Sequence, residues 1–302
     1  MKKVKDSFSR FVLMCLKCIF YFVLVFLLAL VLRIFVAEVY WVPTSSMEHT
    51  IKAKSLILVG KLNYGPLIPA SLKEVPWLHV FYKKNEIGYR ERRKRLAGYQ
   101  SIERNDIVAL NLASKDELRV KRCVGLPGDT LSIRDGMVYV NSKLSENRNQ
   151  RYLTYRILGT SSVYQDTLIS PIEKEKRCSS GMNLQLIQPY HYSLGSLYPW
   201  SNVFTWTNYN YGPVLIPAKN TSIELNLKNY LLYSPIIRNF EHAKLEKKGN
   251  NYFINGRAST SYKFKENYYW VMGDNRCNSL DSRHHGFIPS YNIVGKVIWT
   301  NR

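Results

Sequence analysis

The chain has 302 residues, 46% of them hydrophobic, which fits one large domain or two smaller ones and excludes wholesale disorder. Five cysteines, with no C-x-x-C pair outside one apolar segment, exclude a dense disulfide framework and argue against a zinc site or a thioredoxin-like centre. The net charge of +21 favours anionic partners, either nucleic acid or an acidic lipid surface.

Residues 1–10 form a basic N-terminus, with Lys2, Lys3, Lys5 and Arg10 against Asp6. Residues 11–37 are apolar apart from Lys17 and Arg33. A hydrocarbon core of about 30 Å needs roughly 20 helical residues, and Cys18 to Ala37 supplies them. Arg33 can snorkel to the headgroups, while Tyr40 and Trp41 suit an interfacial aromatic belt. The run is too long for a cleavable signal peptide, and Phe35 stands where cleavage needs a small residue. A single-pass transmembrane anchor is expected, with the N-terminus in the cytoplasm and the remainder outside. Residues 34–302 then keep a charge of +16. Outside the cytoplasm that charge points to membrane phospholipids and not to nucleic acid. The run Arg90-Glu91-Arg92-Arg93-Lys94-Arg95 is either a solvated loop or the sharpest site of headgroup contact.

The remainder is predicted to be mainly β. Leu118 to Val124 alternates well enough for a strand. Thr130 to Ile133 and Met137 to Val140 flank Asp135-Gly136, a two-residue hairpin signal. Asn255-Gly256 is a second such signal, after Tyr252 to Ile254. Tyr268 to Met272 is rich in aromatic and β-branched residues, and Ile293 to Thr300 reads as the closing strand. Residues 38–141 and 244–302 are expected to form two parts of one antiparallel β domain. Residues 142–243, rich in Tyr, Ser and Asn, read as an inserted β subdomain. No convincing helix is predicted after residue 40, although Leu225 to Phe240 is ambiguous.

Chemistry is suggested first by the hydroxyl run Thr44-Ser45-Ser46, which begins soon after the anchor ends. A serine is a weak nucleophile until a base takes its proton. None of the six histidines (His49, His79, His191, His242, His284, His285) stands in a triad motif, and there is no G-x-S-x-G elbow. A Ser-Lys pair is the other common route. It needs a lysine that burial keeps neutral, since burial can lower a lysine pKa by up to about 3–5 units. Lys121, within the predicted strand Leu118 to Val124, is the best-placed candidate.

Four motifs in order then carry a resemblance. They are Pro43-Thr44-Ser45-Ser46-Met47-Glu48-His49-Thr50-Ile51, Asn105-Asp106-Ile107-Val108, the stretch from Lys121 to Asp129, and the stretch from Gly273 to Gly286. With the preceding anchor, this layout resembles the bacterial type I signal peptidases, membrane-anchored serine-lysine peptidases. The resemblance implies a signal-peptidase-like antiparallel β ectodomain after one transmembrane helix. It implies Ser46 as nucleophile, Lys121 as general base and Ser279 as the group orienting the lysine. The Ser46 backbone N–H and the Thr44 hydroxyl would form the oxyanion hole. Arg122 with Asp274, and Asp281 with Arg283, would be bracing ion pairs, and Met47 would line the substrate side. No metal or other cofactor is implied. The implied substrates are secretory preproteins with small residues before the cut, met at the outer face of the cytoplasmic membrane.

Some positions depart from the family pattern. Thr44 stands for the usual Ser, His49 for a common Pro, Asn105 for a common Gly and Cys277 for a frequent acid. His284 and His285 occupy places where an aromatic pair is common. Two other readings remain open at this point: a non-catalytic, membrane-anchored binding or scaffold paralogue, and a specialised Ser-Lys peptidase that matures one secretion component. Cys123 and Cys277 would form a disulfide only if their Cα atoms lay within about 7 Å. From Ala37 to Ser46 an extended chain reaches at most about 32 Å, which tethers the nucleophile near the membrane surface.

Overall fold

A computed structural model describes residues 2–77, 92–111, 118–145, 153–158, 165–187 and 197–301. Arg90, Glu91, His79 and His191 lie outside the described residues. Helix α1 (Lys2–Val31) continues through a π-helical turn, Leu32–Val36, directly into strand β1 (Ala37–Val42). Phe11–Val36 is long and apolar enough to cross a membrane, and its apolar window is not buried by the rest of the chain. A helix apolar all round has no core of its own to face, so lipid is its natural solvent.

β1 pairs with β2 (Ser55–Gly60). The chain continues through β3 (Ile107–Asn111), β4 (Leu118–Gly125), the hairpin β5 (Thr130–Arg134) and β6 (Met137–Val140), and the short β7 (Lys143–Leu144). Next come β8 (Leu153–Leu158), β9 (Gln165–Ile169), helix α2 (Pro171–Ser179), β10 (Asn183–Leu186), β11 (Tyr211–Leu215), β12 (Ser222–Glu224) and helix α3 (Leu227–Phe240). The chain closes with β13 (Leu245–Lys248), β14 (Asn251–Ile254), β15 (Arg257–Ala258), β16 (Ser261–Lys263), β17 (Tyr268–Met272), the short helix α4 (Ser282–His285), β18 (Ile288–Pro289) and β19 (Ile293–Thr300).

The principal sheet has seven strands in the order β1-β2-β19-β3-β4-β17-β18, with every pairing antiparallel. Register shifts in three of those pairings bend it, because an extra residue in one strand raises the local twist. The sheet curls, so β1 approaches β4 although the two are not hydrogen-bonded neighbours. Alternation along β3 puts Val108 and Leu110 in one apolar cluster with Cys123, Val271 and Ile293. Ala109, between them, joins another with Val42, Met47, Ile51, Ile57 and Val59.

A four-stranded sheet, β11-β5-β6-β7, stands beside this one. Its inward residues Leu131, Ile133 and Val138 pack with Trp270 of β17 and with α3. Leu232 and Ile236, and Tyr233 and Ile237, are buried pairs at i,i+4 on that helix. Asn226 caps α3 by accepting from the Asn229 N–H at 2.9 Å. The stretch expected as an inserted β subdomain thus also contains two helices. α2 is mostly polar, with only Pro171 buried, and is held by local groups. Ser170 caps it, Pro171 starts it, and Arg177 pairs with Glu173 one turn earlier at 2.9 Å.

Several expectations change at the membrane end. Arg33 does not reach outward alone; it pairs with Glu38 at 2.7 Å. Tyr40 turns inward and donates to Glu38, leaving Trp41 as the exposed aromatic. Of the basic run, Arg93 and Arg95 donate to the backbone carbonyls of Tyr291 and Ser290, and Arg92 pairs with Glu266, so these cations hold a loop against the sheet. All five cysteines are free. Cys123 is buried beside Val108 and Leu110, whereas Cys277 accepts from the Thr154 N–H, so no disulfide joins them.

Ile237, fully buried where α3 meets the second sheet, tests this packing. Ile237→Ala is expected to lower unfolding free energy by about 2–5 kcal/mol, measured by denaturant titration in detergent.

Candidate active site

β1 ends at Val42, and the chain turns sharply over the next residues. The Glu48 N–H donates to the Ser45 carbonyl, and the Ile51 N–H to the Met47 carbonyl at 2.8 Å. Met47 is fully buried among Val42, Ile51 and Ile57. An apolar side chain at this point anchors the turn in the core. Burying Met47 orients its neighbour Ser46, which is itself buried. His49 holds φ of 73°. Proline is locked near −65°, so this turn takes a path that the family's usual proline forbids.

Lys121 sits in β4, between β3 and β17, and is 3% exposed. Its Nζ donates to Ser46 Oγ at 2.6 Å and to the Val120 carbonyl at 3.0 Å. Burial of the amine is the main cause that pushes the Lys121 pKa down to about 8, with Arg119 acting in the same sense and Asp281 and Asp274 opposing it. A cleft beside the amine is lined by Arg119, Leu280 and His285. The pKa of His285 is pushed down to about 4, by burial first and then by Arg119. The described hydrogen bonds of Ser46 Oγ run to Lys121 and to Thr44 Oγ1, at 3.3 Å, and not to a histidine.

Two forked ion pairs surround the lysine. Arg122 meets Asp274 through Nε and Nη2 at 2.8 and 2.6 Å. Arg283 meets Asp281 through Nε and Nη2, each at 2.9 Å. Both are bidentate, the geometry in which guanidinium and carboxylate match best. Burial opposes the charge on Asp281, but Arg283 outweighs it and holds the carboxyl well below its ordinary range. Each pair also collects backbone. Asp281 accepts from the Gly273 N–H at 3.1 Å, and Arg283 donates to the carbonyls of Arg276 and Asn208. Arg122 donates to the carbonyl of Asn105 at 2.9 Å. Asn105 has φ of 74°, a left-handed conformation that Gly adopts freely and Asn tolerates.

Ser279 is placed differently from its expected bond to the lysine. Its Oγ is buried with no hydrogen-bond partner among the described residues, and it packs against Gly273. A Cβ on Gly273 would lie 2.3 Å from Ser279 Oγ and 2.5 Å from the Ser46 carbonyl. The glycine thus lets two segments close over the Ser46 backbone. The structure therefore brings Ser46, Lys121, Thr44, Arg122, Asp274, Asp281, Arg283 and Ser279 into one region, without the Ser279–Lys121 bond.

Sequence reasoning assigned no role to three further residues. Thr50 Oγ1 donates to Asp274 Oδ2 at 2.5 Å. The Asn275 N–H donates to the Ser46 carbonyl at 3.1 Å, and its side chain to the Ser45 carbonyl. Asn278 donates to Ser45 Oγ at 2.9 Å. These bonds tie the turn to the Gly273 segment. The signal for Thr50 was its place in the first motif; the two asparagines look like ordinary turn residues.

Comparison with known proteins shows what the chain is similar to. A family model described as signal peptidase, peptidase S26, matches residues 15–195 and 216–300. Signal peptidase I of Buchnera aphidicola subsp. Baizongia pistaciae is 24% identical over 281 residues, covering 91% of this chain and 73% of that protein. Signal peptidase I of Rickettsia bellii (strain OSU 85-389) is 27% identical over 282 residues, covering 92% and 71%. Over a shorter stretch of 126 residues, that of Rickettsia prowazekii is 35% identical, covering 41% of this chain and 43% of its own.

Asp281→Asn keeps the shape of the fork but leaves Arg283 buried without its counter-charge. The expected cost is about 3–5 kcal/mol of stability, read as a lower denaturation midpoint with an unchanged m-value.

Proposed function

The chain belongs to the signal peptidase family, peptidase S26, and from that premise we propose that it is a membrane-anchored serine endopeptidase that removes signal peptides through a Ser46–Lys121 dyad. The observation that carries this reading is the 2.6 Å contact between Lys121 Nζ and Ser46 Oγ in a buried site. Neutral Lys121 takes the Ser46 proton as Oγ attacks the scissile carbonyl, and the resulting ammonium protonates the leaving amine. The acyl-enzyme is then hydrolysed by a water that Lys121 deprotonates in turn. Charge that develops on the carbonyl oxygen meets the Ser46 N–H and the Thr44 hydroxyl. Losing one such donor typically costs on the order of 3–4 kcal/mol in the barrier. Arg122, Asp274, Asp281 and Arg283 brace the strands that hold the dyad, and Ser279 fills the space behind it.

The substrate is a secretory preprotein, as the relatives' name, signal peptidase I, supports, and the resemblance of the motifs implies small residues before the cut. Its apolar segment would still lie in the bilayer. The basic N-terminus supports a cytoplasmic start and a catalytic domain on the outer side. Val39, Trp41, Leu56, Ile298 and Trp299 form an exposed apolar area on β1, β2 and β19, joined directly to the anchor. A patch of this kind is expected to rest on phospholipid. The contact between nucleophile and base speaks against a non-catalytic scaffold.

The test is cleavage of a model preprotein by purified full-length enzyme. Ser46→Ala and Lys121→Ala are each expected to lower the rate at least 1,000-fold (~4 kcal/mol) with circular dichroism unchanged. Wild-type cleavage by Lys121→Ala would overturn the lysine-base mechanism.

The pH profile follows from the same group. A lysine pKa of about 8 leaves the base mostly protonated below that pH and neutral above it. The value of kcat/KM is therefore expected to rise about tenfold per pH unit up to roughly 8 and then level off. A flat profile between pH 6 and 9 would contradict it.

A further inference from the structure

One buried ionic cluster lies outside the catalytic site, where the anchor meets the sheet. Glu38 and Lys61 are both buried. The Glu38 carboxylate accepts from Arg33 Nε at 2.7 Å, from Lys61 Nζ at 2.8 Å and from the Tyr40 hydroxyl. The Lys61 ammonium also donates to the Arg33 carbonyl at 2.8 Å, and the Lys61 N–H to the Val36 carbonyl at 2.8 Å. The Arg33 guanidinium lies over the Trp77 ring, 4.9 Å from its centroid, and that ring packs against Phe26 at 5.3 Å. The last turns of the anchor are thus bonded to the start of β1 and to the residue after β2.

No linker intervenes. The Ala37 N–H, the first of β1, donates to the Leu32 carbonyl in the π-helical turn. A free tether would set only the greatest reach of the nucleophile; a bonded junction sets its actual position. Stability alone does not account for the cluster. Burial works against the charge on Glu38, although Lys61, Tyr40 and Arg33 still hold its pKa below the ordinary value. Apolar residues of similar volume commonly match or exceed the stability that a buried ion pair gives. What such a cluster does provide is a preferred geometry, because its bonds join the last turn of the anchor, Glu38 and Tyr40 of β1 and Lys61 in one arrangement.

We infer that Arg33, Glu38 and Lys61 form a specificity-determining clamp. By locking the anchor to the catalytic sheet, it holds Ser46 at a set height above the lipid. The enzyme then selects preproteins by the number of residues between their apolar segment and the scissile bond. β1 carries the chain about 17 Å from Ala37 to Val42, and Ser46 follows four residues on. Val39 and Trp41, on the opposite face of β1 from Glu38 and Tyr40, are more than half exposed and meet the lipid only while the clamp holds its angle. The three residues are positioning residues, and the inference rests on the proposed peptidase reading.

The test uses full-length enzyme in phosphatidylethanolamine and phosphatidylglycerol vesicles. The substrates are one preprotein with zero, four or eight polar residues added between its apolar segment and the cut, and a short soluble peptide spanning the cut. Wild type is expected to cleave the unextended preprotein at least tenfold faster than the longest one. Lys61→Met and Glu38→Gln are expected to bring that ratio within about twofold, while kcat/KM for the peptide stays within twofold of wild type. Lys61→Arg, which keeps charge and donors, should retain the preference. If Lys61→Met and Glu38→Gln lose peptide cleavage through misfolding, Arg33→Gln carries the test, since that side chain is 31% exposed. Variants that cleave the peptide and keep the wild-type spacing preference overturn the clamp. So does a wild type that cleaves both substrate classes without any preference. A wild type that cleaves neither overturns the peptidase reading instead, and the clamp's role with it.

Discussion

Lys121 carries its amine on an interior strand of the curled sheet, where a charge finds little water. An ordinary lysine titrates near 10.4 and is almost wholly protonated at neutral pH. Burial removes the solvation that favours the ammonium and is the largest influence; among the neighbours Asp281 and Asp274 favour the charge, while Arg119 and Arg283 oppose it. If the two acids were unpaired, their pull on the ammonium would be stronger. Each is held by its own arginine, in forks of 2.6–2.9 Å. The ion pairs therefore have two effects. They join distant segments, and they keep carboxylate charge from fixing a proton on the lysine.

The same economy governs the turn that carries Ser46, the proposed nucleophile. Met47 sinks into the core and Asn275 holds the Ser46 carbonyl, so the hydroxyl has little freedom left. Pre-set geometry of this kind lowers the entropic part of a barrier. At the other end of β1, Glu38 and Lys61 fix the anchor. One six-residue strand thus links two ordered ends: the junction with the membrane helix, and the turn that presents Ser46.

Much of the fold is written locally. β4, the β5–β6 hairpin, β17 and β19 fall where alternation and Asp135-Gly136 put them. α3 was ambiguous because Pro235, Asn229 and its tyrosines blur the local pattern; its stripe emerges only once Leu232, Tyr233, Ile236 and Ile237 have a cluster to face. α2 has no broad apolar face, and the one readable sign was Ser170-Pro171 with Glu173 in the first turn. Site residues were legible through their motifs, but their orientation was not. Nothing in the sequence says that Met47 points inward, that Tyr40 turns away from lipid to Glu38, or that Ser279 rests on Gly273 and not on Lys121. Those outcomes depend on contacts between segments up to about 230 positions apart, which periodicity cannot report.

The protonation of one amine tests this account most directly. With carbon-13 at lysine Cε, and the Lys121 resonance assigned by its loss in Lys121→Arg, the full-length protein can be titrated in detergent. The account expects a midpoint near 8 for that resonance. A midpoint above about 10, in line with an ordinary exposed lysine, would contradict it, since a group charged throughout the working range cannot take a proton from Ser46.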